Sequence, residues 1–229
     1  MSRTTGDSTV EEGMHDPFVM AATERRRLAD DLDGMSDTQW TTASLCAGWQ
    51  VRDVVAHLVW PTETSLPRML LKAATKGFKF DRLSDQVARG DGRSHEQLAA
   101  ILRTNADSRF KPPGMGPEAP LTDVVVHGLD IRWPLALGHE IPEAPSRVVL
   151  DFLLSPKATR GFVKKGLVES LRFETSDVEW SRGSGATVRG SAAVLMLSLS
   201  GRNATLDELA GEGAREFRQR CEKVQRPTL

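Results

Sequence analysis

The spacing of apolar residues predicts a mainly helical N-terminal part. From Phe18 to Met35, apolar side chains recur every three or four residues, which is typical of an amphipathic helix. Pro17 suits the first turn of this helix, where its missing N–H needs no partner. A second helix is predicted from Val51; its β-branched residues also fit a strand, but its length and lack of strict alternation favour a helix. The charged residues of the first helix, predicted to face solvent, are Glu24, Arg25, Arg26, Arg27, Asp30 and Asp31.

Further helices follow after breaks rich in proline and glycine. Ser36 begins a short capped turn that ends near Trp40. Ser94 is predicted to cap a helix that reaches about Phe110, with Gln97 at the capping-box position. A later helix covers residues 144–154. Together with the helix around residues 121–133, these segments predict a four-helix bundle.

The pattern changes after Pro156. Residues 171–175, 177–181 and 186–190 are short alternating segments separated by turn residues, which predicts strands. An apolar helix over residues 191–200 and a last helix near Phe217 follow. We therefore predict a mainly α chain: a flexible N-terminus at 1–16, a bundle at 17–156 and a small α+β unit at 157–229.

Composition narrows the class of function. The chain has 229 residues, with 30 Lys and Arg against 31 Asp and Glu, so charge favours neither nucleic acid nor a membrane surface. It has no apolar run of about 18 residues and no apolar centre typical of a signal peptide, which predicts a cytoplasmic protein. We expect a monomer or a homodimer. Two cysteines, Cys46 and Cys221, do not form a disulfide framework.

Candidate chemistry lies in LTDVVVHGLDIRW, residues 121–133. We expect this helix to begin near Ala119, to end near Ala136 and to be terminated by Gly138. Asp123 and His127 are four residues apart and therefore share one face. Three valines separate them, so the polar pair lies on a segment that favours burial.

A divalent metal would use both groups if another ligand faced them. His57, at the edge of the apolar stripe of the second helix, is the candidate, because metal sites in bundles are built from facing helices. Two imidazoles and one carboxylate match a catalytic zinc site, or one for nickel or iron. The alternative is a hydrogen-bonded core histidine and an ordinary surface pair of Asp and His.

Other residues have weaker signals. Asp130 could orient a ligand imidazole or be a solvated charge. Cys46 could be a reactive thiol, a fourth ligand or a packed structural cysteine. Arg132 and Arg202 could clamp a carboxylate or simply lie at the surface. We expect the remaining histidines, His15, His95 and His139, to be exposed to solvent. A basic run is also expected to face solvent, where it could attract an anionic substrate; it consists of Lys72, Lys76, Lys79 and Arg82.

Two motifs resemble one family. GWQVRDVVAHL, residues 48–58, resembles the GW-x-V-x-D-V-x-x-HL signature of the mycothiol-dependent maleylpyruvate isomerase family, a DinB-like metal-binding bundle. DVVVHGLDIRWPL, residues 123–135, resembles its second signature, acid-x-x-x-His-Gly-x-Asp-Ile. ATVRGSAAVLMLSLSGR, residues 186–202, is similar to the sterol-carrier-like domain that often follows this bundle.

The resemblance implies a ligand set and a chemistry. The metal ligands fall on His57, Asp123 and His127, with Asp123 where the family usually has Glu, and Arg202 falls where an arginine helps to hold substrate. The implied protein is a mycothiol-dependent transferase or isomerase, in which a metal-bound thiolate adds to an electrophilic small molecule. Two alternatives remain open: a non-catalytic DinB-like binding protein and a thiol-independent metal hydrolase.

Overall fold

A computed structural model describes residues 16–64, 67, 69 and 80–225. The predicted flexible N-terminus lies outside these residues, apart from Asp16. Lys72, Lys76 and Lys79 of the basic run also lie outside them.

The described part is mainly helical and has one small sheet, as predicted. The helices are α1 Pro17–Asp33, α2 Asp37–Trp40, α3 Val51–Glu63, α4 Phe80–Arg89, α5 His95–Thr104, α6 Glu118–Arg132, α7 Glu143–Leu153, α8 Ala192–Leu199 and α9 Ala214–Gln225. Short 3-10 segments span Pro156–Arg160 and Asn203–Glu208, and the strands are β1 Leu171–Thr175, β2 Ser181–Gly183 and β3 Ala186–Gly190.

Helices α1, α3, α5 and α6 form the predicted four-helix bundle. Helix α1 packs on α5 and α6, and α3 packs on the same two helices. Helix α6 also packs against α7 and α8, so it is buried on nearly all sides. This explains why its sequence is apolar all round except for a few polar residues.

The helix starts follow the predicted capping chemistry. Ser36 and Ser94 each accept a hydrogen bond from a backbone N–H three residues on, and each completes a capping box with a glutamine. Pro17 occupies the first turn of α1, after the N-cap Asp16. These local signals need no tertiary contact, which is why the sequence predicts them.

Two predicted helix ends are wrong. Helix α5 ends at Thr104 and not near Phe110, because the chain turns after Asn105, where the N–H of Ala106 donates to the Arg103 carbonyl. Arg25 binds the carbonyls of Ala106 and Ser108 in the loop that follows. Gly138 does not terminate α6.

Helix α6 is instead closed by Ala136, which has a left-handed φ of 52°. The N–H of Leu137 donates to the Arg132 carbonyl at 3.0 Å, and that of Ala136 donates to Trp133 at 3.1 Å. This is a Schellman closure with alanine at the position that glycine usually takes.

The prediction that every charged residue of α1 faces solvent is also wrong. Glu24 and Arg25 are only 5% and 6% exposed. Glu24 forms an ion pair with the buried Arg132, which also binds Asp31. Burial of a charge requires such compensation, and the compensating partners come from elements distant in sequence.

The C-terminal unit is built on a sheet with strand order β2-β1-β3. Strands β1 and β2 are antiparallel and β1 and β3 are parallel. The second strand begins at Ser181, so the prediction of a strand over 177–181 is wrong. Asp177 instead accepts a hydrogen bond from the backbone N–H of Ala192 at 2.8 Å and helps to cap α8.

One continuous cluster of buried apolar residues runs through both parts of the chain. Helix α8 contributes Leu195, Met196 and Leu199 to this cluster, and it packs on α6 and α7 of the bundle. The division at 156/157 stays a prediction. No helix in the described ranges has the length and apolarity needed to cross a membrane.

Candidate metal centre

The packing of α3 on α6 brings the three predicted ligands together. Nε2 of His57 lies 3.6 Å from Oδ1 of Asp123, and Nε2 of His127 lies 3.6 Å from the same oxygen. The two imidazole rings are 4.9 Å apart and nearly perpendicular. One donor atom from each residue can be chosen so that all three lie within 4.8 Å of one another.

This spacing fits a small divalent cation. Donor atoms about 2.1 Å from a tetrahedral zinc ion lie roughly 3.4 Å apart, close to the 3.6 Å between each imidazole and Asp123. The carboxylate is therefore near both imidazoles although aspartate is one methylene shorter than glutamate. Nitrogen and carboxylate donors suit zinc and also nickel or iron.

His127 is held by a buried carboxylate. Its Nδ1 lies 2.9 Å from Oδ2 of Asp130, whose side chain is fully buried. Such a partner fixes the imidazole and leaves Nε2 free to face a metal. Asp130 therefore has the geometry of an orienting group and is not a solvated charge.

Arg202 connects the C-terminal unit to this arrangement. Its Nε donates to Oδ1 of Asp130 at 2.9 Å and its Nη2 donates to Oδ2 at 2.6 Å. Its Nη1 donates to the carbonyl of Ser200 at 2.6 Å. A two-point pair of this kind is strong and directional, so Arg202 fixes Asp130, and Asp130 fixes His127.

Both carboxylates of the centre are held ionised. Burial raises the pKa of Asp123, but the contact with His57 and the charges of His127 and Arg25 outweigh it and lower the pKa from 3.8 to about 2. Burial likewise raises the pKa of Asp130, and hydrogen bonds from His127 and Arg202 bring it below its usual value. An ionised carboxylate is the form that binds a cation.

His57 lacks the support that His127 has. Its Nδ1 is buried and has no hydrogen-bond partner among the described residues. Its ring instead lies 5.3 Å from that of Trp49, which is also 6.2 Å from the ring of His127. The Trp49 indole N–H donates to Asp85 at 3.0 Å, so α4 fixes the aromatic wall of the site.

Cys46 lies beside the orienting pair. One donor atom each of Cys46, His127 and Asp130 can be chosen within 4.8 Å of one another. Burial raises the pKa of the Cys46 thiol to about 11, although the nearby Arg202 opposes this. A thiol protonated at neutral pH is a poor nucleophile, which favours the interpretation as a packed wall residue.

The remaining candidates lie away from the centre. Arg132 is enclosed by its acidic partners on α1 and has no access to a substrate. His139 is exposed, as predicted. His95 is half-buried and stacks on Trp40 at 4.7 Å, so its predicted solvation is wrong. Arg82 is exposed, and His15 lies outside the described residues.

Trp49 and Arg25 are neighbours of the centre that the sequence analysis missed. Arg25 follows Ala21 and precedes Leu28 and Leu32 at helical spacing, so it occupies a position in the apolar stripe of α1. A charged residue at such a position signals a buried charge. Trp49 precedes the helix of His57, but nothing in its local sequence indicates which way the indole points.

The fold and the centre define a class: a helical bundle with two histidines and one carboxylate facing each other across adjacent helices. The family model described as the mycothiol maleylpyruvate isomerase N-terminal domain matches residues 21–111. Residues 21–111 are therefore similar to the N-terminal domain of that family, which confirms the family resemblance stated from the motifs.

Solved structures extend the likeness to most of the chain. The mycothiol-dependent maleylpyruvate isomerase has a TM-score of 0.56 and 15% identity, over 88% of this chain and 93% of that chain. A mutant of that isomerase has a TM-score of 0.58 and 14% identity over the same shares. At this identity the likeness shows a shared fold. No curated protein sequence matches the chain.

Proposed function

We propose that this protein is a metal-assisted, mycothiol-dependent enzyme that transfers a thiol to, or isomerises, an electrophilic small molecule. The observation that carries the proposal is the convergence of His57, Asp123 and His127 within the fold of this family. A divalent metal, most simply zinc, would be held by these residues and would deprotonate the thiol of mycothiol by coordination.

The chain's own groups prepare the site for this chemistry. Asp123 offers an ionised oxygen to the cation, and its 31% exposed side chain marks the open side through which a thiol can enter. Asp130 and Arg202 keep Nε2 of His127 directed at the cation. The Trp49 ring, 5.3 Å from that of His57 and 6.2 Å from that of His127, gives this side of the site an apolar neighbour.

Arg202 remains our candidate for a catalytic role, with a condition set by its contacts. Its Nε and Nη2 are bound to Asp130 and its Nη1 to Ser200. Direct contact with substrate requires one of these bonds to be exchanged. Without that exchange, Arg202 acts on the reaction by positioning Asp130.

The reaction type can be separated by following the thiol. In an isomerisation, a C–S bond forms at a conjugated carbon, rotation follows, and the same bond breaks, so mycothiol is not consumed. In a transfer, the C–S bond remains and one thiol is lost for each electrophile. We also propose a cytoplasmic location, because a thiol-dependent enzyme needs a compartment in which low-molecular-weight thiols stay reduced.

The test combines metal analysis with thiol assays on the same samples. We expect about one divalent metal ion per chain in the wild type and in His139→Ala, the exposed-histidine control, and a large loss in His57→Ala and His127→Ala. Equal metal content in all four proteins would contradict the proposed metal site. Mycothiol should be consumed, or act catalytically, with an electrophile panel in the wild type and in His139→Ala, and in neither of the other two variants.

Two outcomes would point to the alternatives. Absence of both stoichiometric metal and thiol turnover would indicate a binding protein that has the fold without the chemistry. Turnover of an ester or amide without added thiol would indicate a metal hydrolase.

A further inference from the structure

A cavity of about 730 Å³ lies between helix α7 and the first two strands of the sheet. Arg147 and Asp151 of α7 line one side, and β1, β2 and the turn between these strands line the other. The described residues of this wall are all different from those of the candidate metal centre. Sites for small molecules typically have volumes of about 300–1,000 Å³, so the cavity has the size of a second, separate ligand site.

The charged side chains around this cavity balance one another. Three arginines and three carboxylates line it, and they are Arg147, Arg172, Arg182, Asp151, Glu174 and Glu179. A wall that is neutral in total favours neither an anion nor a cation by its net charge. The placement of the unpaired charges therefore decides which ligand is complementary to it.

Four of these six charges already have a partner of opposite charge at 2.5 to 2.7 Å; the pairs are Arg182–Asp151, Arg147–Glu143 and Arg189–Glu174. Asp151 also accepts a hydrogen bond from the indole N–H of Trp180 at 3.1 Å. Side chains held in this way have little capacity for a further charged partner. They form the fixed part of the wall.

Arg172 and Glu179 are the two charges that the described residues leave unpaired. Nη2 of Arg172 donates to the hydroxyl of Ser181 at 2.6 Å, and this partner is uncharged. Glu179 lies in the turn before β2, is exposed, and has no hydrogen bond or ion pair within the described part of the chain. The two residues do not pair with each other there either. The cavity wall therefore offers one cation and one anion at separate positions.

We propose that this cavity binds a small zwitterion, an amino acid or a dipeptide, with its carboxylate on Arg172 and its ammonium group on Glu179. The guanidinium has further donors in a planar fork, which matches a carboxylate. Trp180, 9% exposed, and the half-buried Val178 add apolar surface for the carbon skeleton of the ligand. A ligand with both charges satisfies both groups, whereas a simple anion or cation leaves one of them without a partner.

The competing explanation is that both charges are ordinary surface groups. Arg172 would then only tie β1 to β2 through Ser181, and Glu179 would only be solvated. On that explanation neither side chain affects the binding of any ligand, so ligand affinity separates the two.

The test is isothermal titration calorimetry on the full-length protein with L-leucine and with glycyl-L-leucine. Each zwitterion is compared with its N-acetylated form, which lacks the ammonium charge, and with its carboxamide, which lacks the carboxylate. We expect the wild type to bind one of the zwitterions at least tenfold more tightly than either of its singly charged forms. Whether that zwitterion is leucine or the dipeptide shows which separation of charges the cavity favours.

Two variants assign the two contacts. Arg172→Gln should no longer distinguish the zwitterion from its carboxamide, and Glu179→Gln should no longer distinguish it from its N-acetylated form. Arg215→Gln and Glu222→Gln remove exposed charges of α9, outside the cavity, and should bind as the wild type does. Thermal unfolding of each variant separates a loss of affinity from a loss of stability.

Each result decides the proposal. A wild type that binds neither zwitterion more tightly than its singly charged forms would overturn it, as would wild-type affinities and preferences in both cavity variants. If Arg172→Gln does not fold, Glu179→Gln alone decides, because Glu179 has no partner among the described residues to lose.

The proposal is independent of the enzymatic function proposed above. Because the cavity and the candidate metal centre consist of different residues, zinc-free and zinc-loaded protein should bind the zwitterion with equal affinity. Absence of metal or of thiol turnover would therefore leave this site unaffected, and absence of zwitterion binding would leave the metal centre unaffected.

Discussion

Asp130 is the residue through which His127 and the C-terminal unit are joined. Its carboxylate is fully buried, and both oxygens are used: one accepts from Arg202, and the other from Arg202 and His127. A carboxylate so placed would be costly without these donors. With them, Asp130 links the position of Arg202 to that of the His127 imidazole.

Replacing Asp130 with Asn should weaken metal binding without changing the side chain's shape. Because removal of a group that orients a ligand typically costs ten- to a hundred-fold in affinity, we expect Asp130→Asn to lower zinc affinity by about that factor, measured by competition with a chelator. Asp151→Asn is the matched control, since Asp151 also accepts from an arginine and from Trp180 but lies away from the centre. Equal affinities in the two variants would contradict the role of Asp130.

Cys46 should be inert at neutral pH. Since its pKa is raised to about 11 from 9.0, the thiolate is a minor species until the pH approaches 11. We expect iodoacetamide to alkylate Cys46 slowly at pH 7, with a rate that rises about tenfold per pH unit up to that range. Mass spectrometry of a Cys221→Ala protein gives the rate for Cys46 alone, and rapid alkylation at pH 7 would show that burial does not control it.

The sequence predicts the ligands but not their surroundings, for a physical reason. Asp123 and His127 share a face because of helical spacing, which is local, and His57 lies on a helix of the same bundle. The roles of Arg25 and Trp49 depend on which loop packs over α1 and which helix supplies Asp85. Both are tertiary contacts between residues distant in sequence, which local sequence patterns do not predict.

At the level of elements, α3 contains a proline four residues after His57, a proposed metal ligand. Pro61 lies inside the helix, and its ring nitrogen cannot donate to the carbonyl of His57. A proline inside a helix removes this hydrogen bond and crowds the carbonyl four residues earlier, which generally kinks the helix. We infer that Pro61 helps to set the angle from which His57 approaches Asp123.

Pro61→Ala tests that inference. Restoring the hydrogen bond to His57 should straighten α3, so zinc affinity should fall several-fold while the melting temperature stays equal or rises, because proline within a helix is destabilising by up to about 3 kcal/mol. Pro142→Ala is the control, since Pro142 precedes α7 and interrupts no helical bond. Unchanged zinc affinity in Pro61→Ala would show that the proline has no part in placing His57.

Element boundaries were predictable where a side chain caps its own helix. Ser36, Ser94 and Ser191 all do so. The end of α5 was missed because the loop that follows it is held by Arg25 of another helix, through the carbonyls of Ala106 and Ser108. The start of β2 was missed because the side chain of Asp177 accepts a hydrogen bond from the first backbone N–H of α8. In both cases a contact distant in sequence overrides the local preference.

The whole molecule has a core that continues from the bundle into the C-terminal unit. Helix α8 packs on α6 and α7, and Arg202 reaches Asp130 across the same contact. The candidate metal centre therefore lies close to this contact, and the bonds of Arg202 to Asp130 join the two parts.

We expect the chain to unfold in one cooperative transition, because the buried apolar residues form one cluster. Differential scanning calorimetry should give one peak whose calorimetric and van't Hoff enthalpies agree, and zinc should raise its midpoint. Two resolved peaks, of which zinc shifts only the first or the second, would show instead that the predicted units 17–156 and 157–229 unfold separately.

The position of Trp49 gives the protein a built-in optical reporter. The chain contains 5 tryptophans and no tyrosine, so its ultraviolet emission comes from indole alone. With its ring 5.3 Å from His57 and 6.2 Å from His127, Trp49 is close enough for copper, nickel or cobalt in the centre to quench its fluorescence, whereas closed-shell zinc would not. Trp49→Phe should remove that quenching. Binding of an open-shell metal to the centre can therefore be measured by tryptophan fluorescence.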